Sequence, residues 1–465
     1  MTENDRYDVL IIGAGQAGIP LAHDLAKAGK WVALAEEKHL GGSCVNFGCT
    51  PTKTVVASAR VAHLARRGLE FGLKIPTVDA DFPAVLARAK RILTESRKGL
   101  ERKFENSDNP KLLRGSARFE GRENGVFHVA IGHLKVTGQQ VIIDTGTRST
   151  IPPIEGLNDV PFICAENWLE QPELPERLAV IGGGYIGLEM SQVYRRLGSR
   201  VTVIEEGEQI AAHEDEDVAH ALRQLLECEG IEFRMNTRVK RLMGNKGSKG
   251  SVTLLLADNA GSSQIKVSHV FIATGRTPNT DDLGLETIGV RVSDRGIVET
   301  NERLATNVEG VWAAGDIRGG PMFTHTAWDD YRILSSQITG DGSRTTRRVF
   351  PYAIFTDPQV GRVGITEREA RKAGNEIRVS HYEMKRNSRA IEFGETGGFI
   401  KVVVDAKTKR ILGAAVLASE GAELVHMYVD LMNADAPYTV IRDAIHIHPT
   451  LAEGIQSAVM SFDSE

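Results

Sequence analysis

The stretch YDVLIIGAGQAG near the start of the chain recurs in kind as RLAVIGGGYIG in its middle, and this internal repeat constrains the fold more than any other feature. Each copy reads as a short apolar strand, a glycine loop of G-x-G-x-x-G spacing and a helix: Gly13, Gly15 and Gly18 in the first, Gly182, Gly184 and Gly187 in the second. A second strand follows each, WVALAE or RVTVIE, and ends in an acid, Glu36 or Glu205. The interval from first glycine to acid is 36 − 13 = 23 in one copy and 205 − 182 = 23 in the other. A single such loop is weak, since any strand-to-helix turn produces it. Two copies matched in spacing argue against coincidence.

The spacing has a physical basis. The first glycine allows a tight turn, the second lets backbone approach a pyrophosphate, and the third lets helix and strand pack closely. The helix N-terminus offers unpaired N–H groups and a positive dipole end to phosphates, while the acid accepts from ribose hydroxyls. The chain is therefore expected to bind two dinucleotides.

The copies close in similar strands, VIIDTG with Gly146 and VFIATG with Gly275. The first spans 146 − 13 = 133 residues and the second 275 − 182 = 93, so the first carries 40 more. Early in that longer copy, GGSCVNFGCTPTK places Cys44 and Cys49 ahead of helical patterns in VVASARVAHLARR and FPAVLARAKRILTESRKGL. Pro152, Pro153, Pro172 and Pro175 punctuate the crossing between the units. After Gly275 the pattern is loop-like as far as TNVEGVWAAGD, a strand that stops at Gly315 and Asp316. From about Val349, alternating segments such as GFIKVVVDAKTKRILGAAVLA predict an antiparallel sheet with helices around it.

A chain of 465 residues, 41% hydrophobic and 25% charged, is expected to form two to four domains. Its net charge of −5, from 56 basic and 61 acidic residues, gives no electrostatic case for nucleic acid or an anionic membrane. The start MTENDRYDVLIIGAG lacks the layout of a signal peptide, and no apolar run reaches the roughly 18 to 20 residues that span a bilayer. A soluble, cytoplasmic protein is expected. Four cysteines are too few for a secreted disulfide scaffold, and Cys164 and Cys228, which stand alone, read as buried small hydrophobes. Cys44 and Cys49 sit at the start of a helical stretch, with a loop between them. A helix N-terminus lowers a thiol pKa and favours the thiolate that attacks disulfides. An inert disulfide or two core thiols are the competing readings.

In order along nearly the whole chain, GAGQAG, GGSCVNFGCTPTK, GGGYIGLE, ATGRTPN, AAGD and HPTLAE resemble the pyridine nucleotide-disulfide oxidoreductases. That flavoprotein group contains dihydrolipoamide dehydrogenase, glutathione reductase and mercuric reductase. The resemblance implies an α/β fold: two tandem Rossmann-like FAD- and NAD-binding domains plus a C-terminal α+β dimerisation domain. The implied boundaries are 1–150 and 276–345 for FAD binding, 151–275 for NAD(P) binding and 346–465 for dimerisation. FAD would lie on Gly13, Gly15 and Gly18, with Glu36 on its adenosine ribose, Asp316 on its ribityl chain and Gly146 closing the unit. The nicotinamide nucleotide would lie on Gly182, Gly184, Gly187, Glu205 and Gly275.

The same resemblance implies that Cys49 exchanges electrons with the flavin while Cys44 attacks substrate. Lys53 matches the lysine near flavin N5, and Glu189 the acid that pairs with it. His448 and Glu453 in HIHPTLAEG match an acid-base histidine and its orienting glutamate, supplied by the partner subunit of a homodimer. His446 and His325 are read as satisfied structural residues, and no metal site is expected. Glu205 accepts from a free 2′-hydroxyl and repels a 2′-phosphate, which favours NAD(H) over NADP(H). The following EGEQI supplies no cation, although Arg200 precedes the strand.

The expected reaction is FAD-dependent NAD(P)H:disulfide oxidoreduction through the Cys44/Cys49 dithiol, on a small disulfide or dithiol as in dihydrolipoamide dehydrogenase. Three features depart from the usual lipoamide pattern: GCTPTK, DTG in place of ATG, and the segment GGPMFTHTAWDDYR. Mercuric reductases are also similar but add a C-terminal cysteine pair, and SAVMSFDSE has none. A metal-ion reductase lacking that pair is the alternative. A flavin-bound redox or metal sensor is a reading of another class, which Lys53, Glu189, His448 and Glu453 oppose because a sensor needs no proton relay. A simple diaphorase would need only FAD and NADH.

Overall fold

The computed structural model describes residues 6–105, 107–244 and 251–463; the acidic first five residues lie outside them. In the first unit, β1 (Arg6–Ile12) leads through the glycine loop into α1 (Gly18–Lys27) and back to β2 (Val32–Glu36). There follow α2 (Gly42–Asn46), α3 (Cys49–Arg66) and α4 (Phe82–Glu101), the last capped by Asp81, which accepts from Ala84 N–H at 2.9 Å. Strands β3 (Lys111–Arg114), β4 (Ala117–Glu123), β5 (Val126–Ile131) and β6 (Leu134–Ile143) complete a sheet ordered β3-β2-β1-β6-β5-β4. β1 runs parallel to both neighbours. Its side chains alternate: Val9 and Ile11 face Leu21 and Leu25 of α1, while Leu10 and Ile12 join Phe119 and Phe127 on the other face. Burial on both faces is why this strand reads as a continuous apolar run.

The short β7 (Thr147–Ser149) leads out of this unit. The second unit repeats the design with β8 (Arg177–Ile181), α5 (Tyr185–Leu197), β9 (Arg200–Ile204), α6 (Glu216–Cys228) and β10 (Glu232–Arg234). An antiparallel sheet of β11 (Arg238–Met243), β12 (Val252–Asp258) and β13 (Gly261–Val267) is inserted before β14 (His269–Ile272) closes a parallel sheet ordered β10-β9-β8-β14. β15 (Arg276–Pro278) then pairs antiparallel with β7, so the exits of the two units form one ribbon. The sequence pattern predicted only loop here. Three residues a side are too few to show a strand period.

β16 (Val311–Ala313) returns to the first sheet, parallel to β6, and α7 (Thr324–Thr339) packs on α1. The chain continues as β17 (Pro351–Ile354), β18 (Gln359–Gly364), β19 (Ile377–Glu383), β20 (Phe399–Asp405) and β21 (Ile411–Ala418). These make the expected antiparallel sheet, ordered β17-β18-β21-β20-β19. Helices His426–Asn433 and Ala452–Met460 share its core through Tyr428 and Ile455. Among the described residues, no helix is long and apolar enough to cross a membrane.

Candidate active site

The two glycine loops are held by the same contacts. Gly13 and Gly182 both have a φ of +108°, and a Cβ on either would stand 2.2 Å from the Asp144 carbonyl oxygen or 2.4 Å from that of Ala273. A Cβ on Gly18 or Gly187 would meet the carbonyl oxygen of its own first glycine at 2.2 or 2.1 Å. Nothing lies within 4 Å of that position on Gly184, so the second loop is open where a ligand's backbone approach is needed. Gly146 and Gly275 follow the closing strands with φ of +64° and +112°. Both acids turn back on their loops: Glu36 Oε2 accepts Ala14 N–H at 3.0 Å, and Glu205 Oε2 accepts Gly183 N–H at 2.6 Å. Tertiary folding also brings a cation near the second acid, since Arg238 of β11 pairs with Glu206 at 3.0 Å.

A cavity of about 1760 Å³ runs from Glu36 past Gly13, Gly15 and Asp144 to Asp316, and on to Cys44, Cys49, Lys53 and Glu189. Cys44 lies in α2 and Cys49 is the first residue of α3, both as free thiols. Two helix segments, rather than the single loop expected, therefore bring the sulfurs together. The Cys44 thiol donates to Cys49 and lowers the Cys49 pKa to about 6; burial opposes the shift, and Thr324 and the Lys53 charge assist it. The same hydrogen bond, reinforced by burial, pushes the Cys44 pKa up. Both influences favour the anion on Cys49 and the proton on Cys44. Thr324 Oγ1, at the start of α7, lies 3.1 Å from Cys49 Sγ.

Lys53, one turn further along α3, forms an ion pair with Glu189 on α5 and sits 4.4 Å from the Phe355 ring centre. The other Glu189 oxygen accepts Phe355 N–H at 2.8 Å. One carboxylate thus ties the thiol-bearing helix to the second unit and to the segment after β17. Asp316 accepts from Thr147 Oγ1 at 2.9 Å, and that hydroxyl accepts from Arg276 Nε at 2.6 Å. Burial raises the Asp316 pKa, against the Arg276 charge.

Sequence reasoning missed the opposite wall of the cavity, which Phe323, Thr324, His325 and Tyr352 line. Phe323 stacks on His325 and on Tyr352, each with ring centres 5.5 Å apart, and lies 5.3 Å from Tyr185. His325 is satisfied, as expected, through Nε2 and the Pro351 carbonyl at 2.7 Å, yet it faces the cavity rather than the core; burial lowers its pKa. The departure of GGPMFTHTAWDDYR from the usual pattern was the available signal. Cys164 is buried as expected, but Cys228 is exposed. Helix α6 turns Val218, Ala219, Leu222 and Leu226 inward, which leaves Cys228 at its outer end.

His448 Nδ1 lies 3.0 and 3.1 Å from the two Glu453 oxygens, and Thr450 N–H donates to the same carboxylate at 3.0 Å. This pair is formed but stands apart from the thiols. The His448 side chain is 67% exposed, and neither residue lines the cavity.

Residues 7–330 match the family model described as pyridine nucleotide-disulphide oxidoreductase, and residues 350–459 match the dimerisation domain of that name. The chain belongs to this family of flavoprotein disulfide reductases, oxidoreductases that bind FAD and a pyridine nucleotide. It is 33% identical over 456 residues to the probable pyridine nucleotide-disulfide oxidoreductase RclA of Escherichia coli, across 97% of this chain and 98% of that protein. It is 34% identical over 470 residues to dihydrolipoyl dehydrogenase of Cupriavidus necator, across 98% of each. The fold matches a Cu(II) complex of the HOCl-induced flavoprotein disulfide reductase RclA from Escherichia coli with a TM-score of 0.88 at 33% identity, covering 98% of this chain and 99% of that one.

Proposed function

We propose that the chain is an NAD(P)H:disulfide oxidoreductase that passes electrons from NADH, through FAD and the Cys44/Cys49 dithiol, to a small disulfide. The observation that carries this reading is the Cys44/Cys49 thiol pair, set with Lys53, Glu189 and Thr324 at the far end of a cavity that begins at a dinucleotide loop. The cavity fits FAD in the order that cofactor requires. Glu36 suits the adenosine ribose, the Gly13–Gly18 loop the pyrophosphate, Asp316 the ribityl chain, and the Cys49 end the ring. Bound FAD would supply two-electron exchange between a nicotinamide hydride and a dithiol.

The thiols then divide the work. Cys44 gives its proton to His448 of the partner subunit as its sulfur attacks one sulfur of the substrate disulfide; Cys49, the readier anion, attacks Cys44 in turn, releasing the second substrate group as its thiolate and leaving a Cys44–Cys49 disulfide. His448 of the partner subunit protonates the leaving thiolate, with Glu453 fixing its tautomer through Nδ1. The dimerisation domain supports that arrangement. Glu205 favours NADH, and Arg238 is already engaged by Glu206 rather than free for a 2′-phosphate. The return of β16 to the first sheet supports the division into 1–150 with 276–345, 151–275 and 346–465.

A second reading, reduction of a metal ion at the same dithiol, draws on the Cu(II) complex formed by RclA. Anaerobic NADH titration followed by steady-state assays with lipoamide, glutathione disulfide, small disulfides, mercuric and cupric ions separates the two. Wild type is expected to show a long-wavelength thiolate-to-flavin band that Cys49→Ser abolishes. Cys44→Ser is expected to keep quinone reduction while losing disulfide turnover by on the order of a thousandfold or more. If disulfide turnover survives in Cys44→Ser, the dithiol reading fails.

A further inference from the structure

Asp144 closes the last strand of the first unit, in the DTG that stands where the family pattern has ATG, and none of the steps above uses it. Its side chain is buried, yet it lines the cavity between two glycine turns. Oδ2 accepts the N–H of Gly18, the third fingerprint glycine, at 2.8 Å and lies 2.9 Å from where a Cβ would stand on Gly15. Oδ1 lies 2.9 Å from the same position on Gly315, beside Asp316, and among the described residues it makes no hydrogen bond. One carboxyl therefore spans the fingerprint loop and the Gly315 loop, with Oδ2 engaged at the fingerprint and Oδ1 free on the side of Gly315, in the cavity that the fingerprint reading assigns to the cofactor.

We infer that Asp144 is a positioning residue for the flavin pyrophosphate, a neutral carboxyl that accepts from Gly18 through one oxygen and offers its own O–H to the cofactor through the other. The inference rests on the reading of the Gly13–Gly18 loop as the FAD site. The surroundings favour the neutral form. Burial is the largest influence and raises the Asp144 pKa well above the ordinary carboxylate value, the Gly18 hydrogen bond opposes it, and the charges of Asp316, Asp330 and Glu36 reinforce it. The nearby cations are committed elsewhere: Arg318 and Arg348 pair with Asp330 at 2.7 Å each, and Arg276 stands 3.8 Å from Asp316. An ionised Asp144 would face the cofactor's own negative charge in a poorly solvated site.

The sign of the consequence follows from linkage. A bound pyrophosphate raises the pKa of a facing acid further, so FAD binding takes up a proton and affinity falls as pH rises between the free and bound values. The slope is at most about tenfold in Kd per pH unit. The test is FAD binding to apoprotein, followed by quenching of flavin fluorescence across pH 5 to 9, for wild type, Asp144→Asn and Asp144→Ala, with circular dichroism to establish folding. We expect the Kd of wild type to rise with pH and that of Asp144→Asn, which keeps the shape and a donor without the titration, to stay flat. Asp144→Ala is expected to be flat and weaker than Asp144→Asn at pH 6. A wild-type profile that is flat, or one that Asp144→Asn reproduces, overturns the inference. Apoprotein that is folded yet takes up no FAD at any pH overturns the flavin reading and the inference together.

Discussion

A single proton separates the two thiols chemically. Cys49 carries the thiolate because Cys44 donates to it, with Thr324 and Lys53 adding to the effect and burial opposing it. A lowered thiol pKa means the anion persists above about 6 and is lost as pH falls through that value. The long-wavelength band of the two-electron-reduced protein is therefore expected to fade on acidification through that range, read by absorbance. Lys53→Met removes a stabilising charge, so its band should fade at higher pH than that of wild type; an unchanged midpoint would show that Lys53 does not act on the thiolate. The motif around Cys44 and Cys49 was legible because its spacing is local. Thr324 was not, since it reaches Cys49 from α7, 275 residues along the chain.

At the scale of elements, the repeat predicted both strand–loop–helix units because each depends on contacts within a few tens of residues. The glycine positions carry that dependence. In α5 a Cβ on Gly187 would stand 2.1 Å from the Gly182 carbonyl oxygen, so Gly187→Ala must push the helix off its strand. Such overpacking costs roughly 1–3 kcal/mol. Thermal unfolding should show the loss, and NADH titration a weakened Kd. Glu189 rides on the same helix, so the Lys53 pair loosens with it. The β7–β15 ribbon was illegible because its strands pair across 127 to 131 residues and are three residues long. The exposure of Cys228 was equally hidden, because which side of α6 faces inward depends on the sheet beneath it.

Across the whole molecule, buried charge locks the second unit to the C-terminal sheet. Arg362 of β18 and Glu214 are each 1% exposed, joined Nε to Oε2 at 3.0 Å, and Tyr352 donates to the other Glu214 oxygen at 2.5 Å. Arg362→Met would strand that carboxylate, at about 3–5 kcal/mol, and urea denaturation should show a lower midpoint. The exposed His448–Glu453 pair yields a different test. If each site takes its thiols from one chain and its histidine from the other, neither Cys44→Ser nor His448→Gln is active alone. Dimers reassembled from an equal mixture should then recover about a quarter of wild-type turnover, because half are mixed and each mixed dimer holds one intact site. No recovery would place both groups in one chain. Glycine loops, terminal acids and the cysteine pair needed only the chain to be read, since their meaning lies in spacing that local backbone geometry dictates. The aromatic wall of Phe323, His325 and Tyr352, the second hold of Glu189 on the Phe355 N–H and the placement of Asp144 between two loops came only with the tertiary structure. Their partners lie on separate elements, and only packing of three sheets against one another brings those elements to a common cavity.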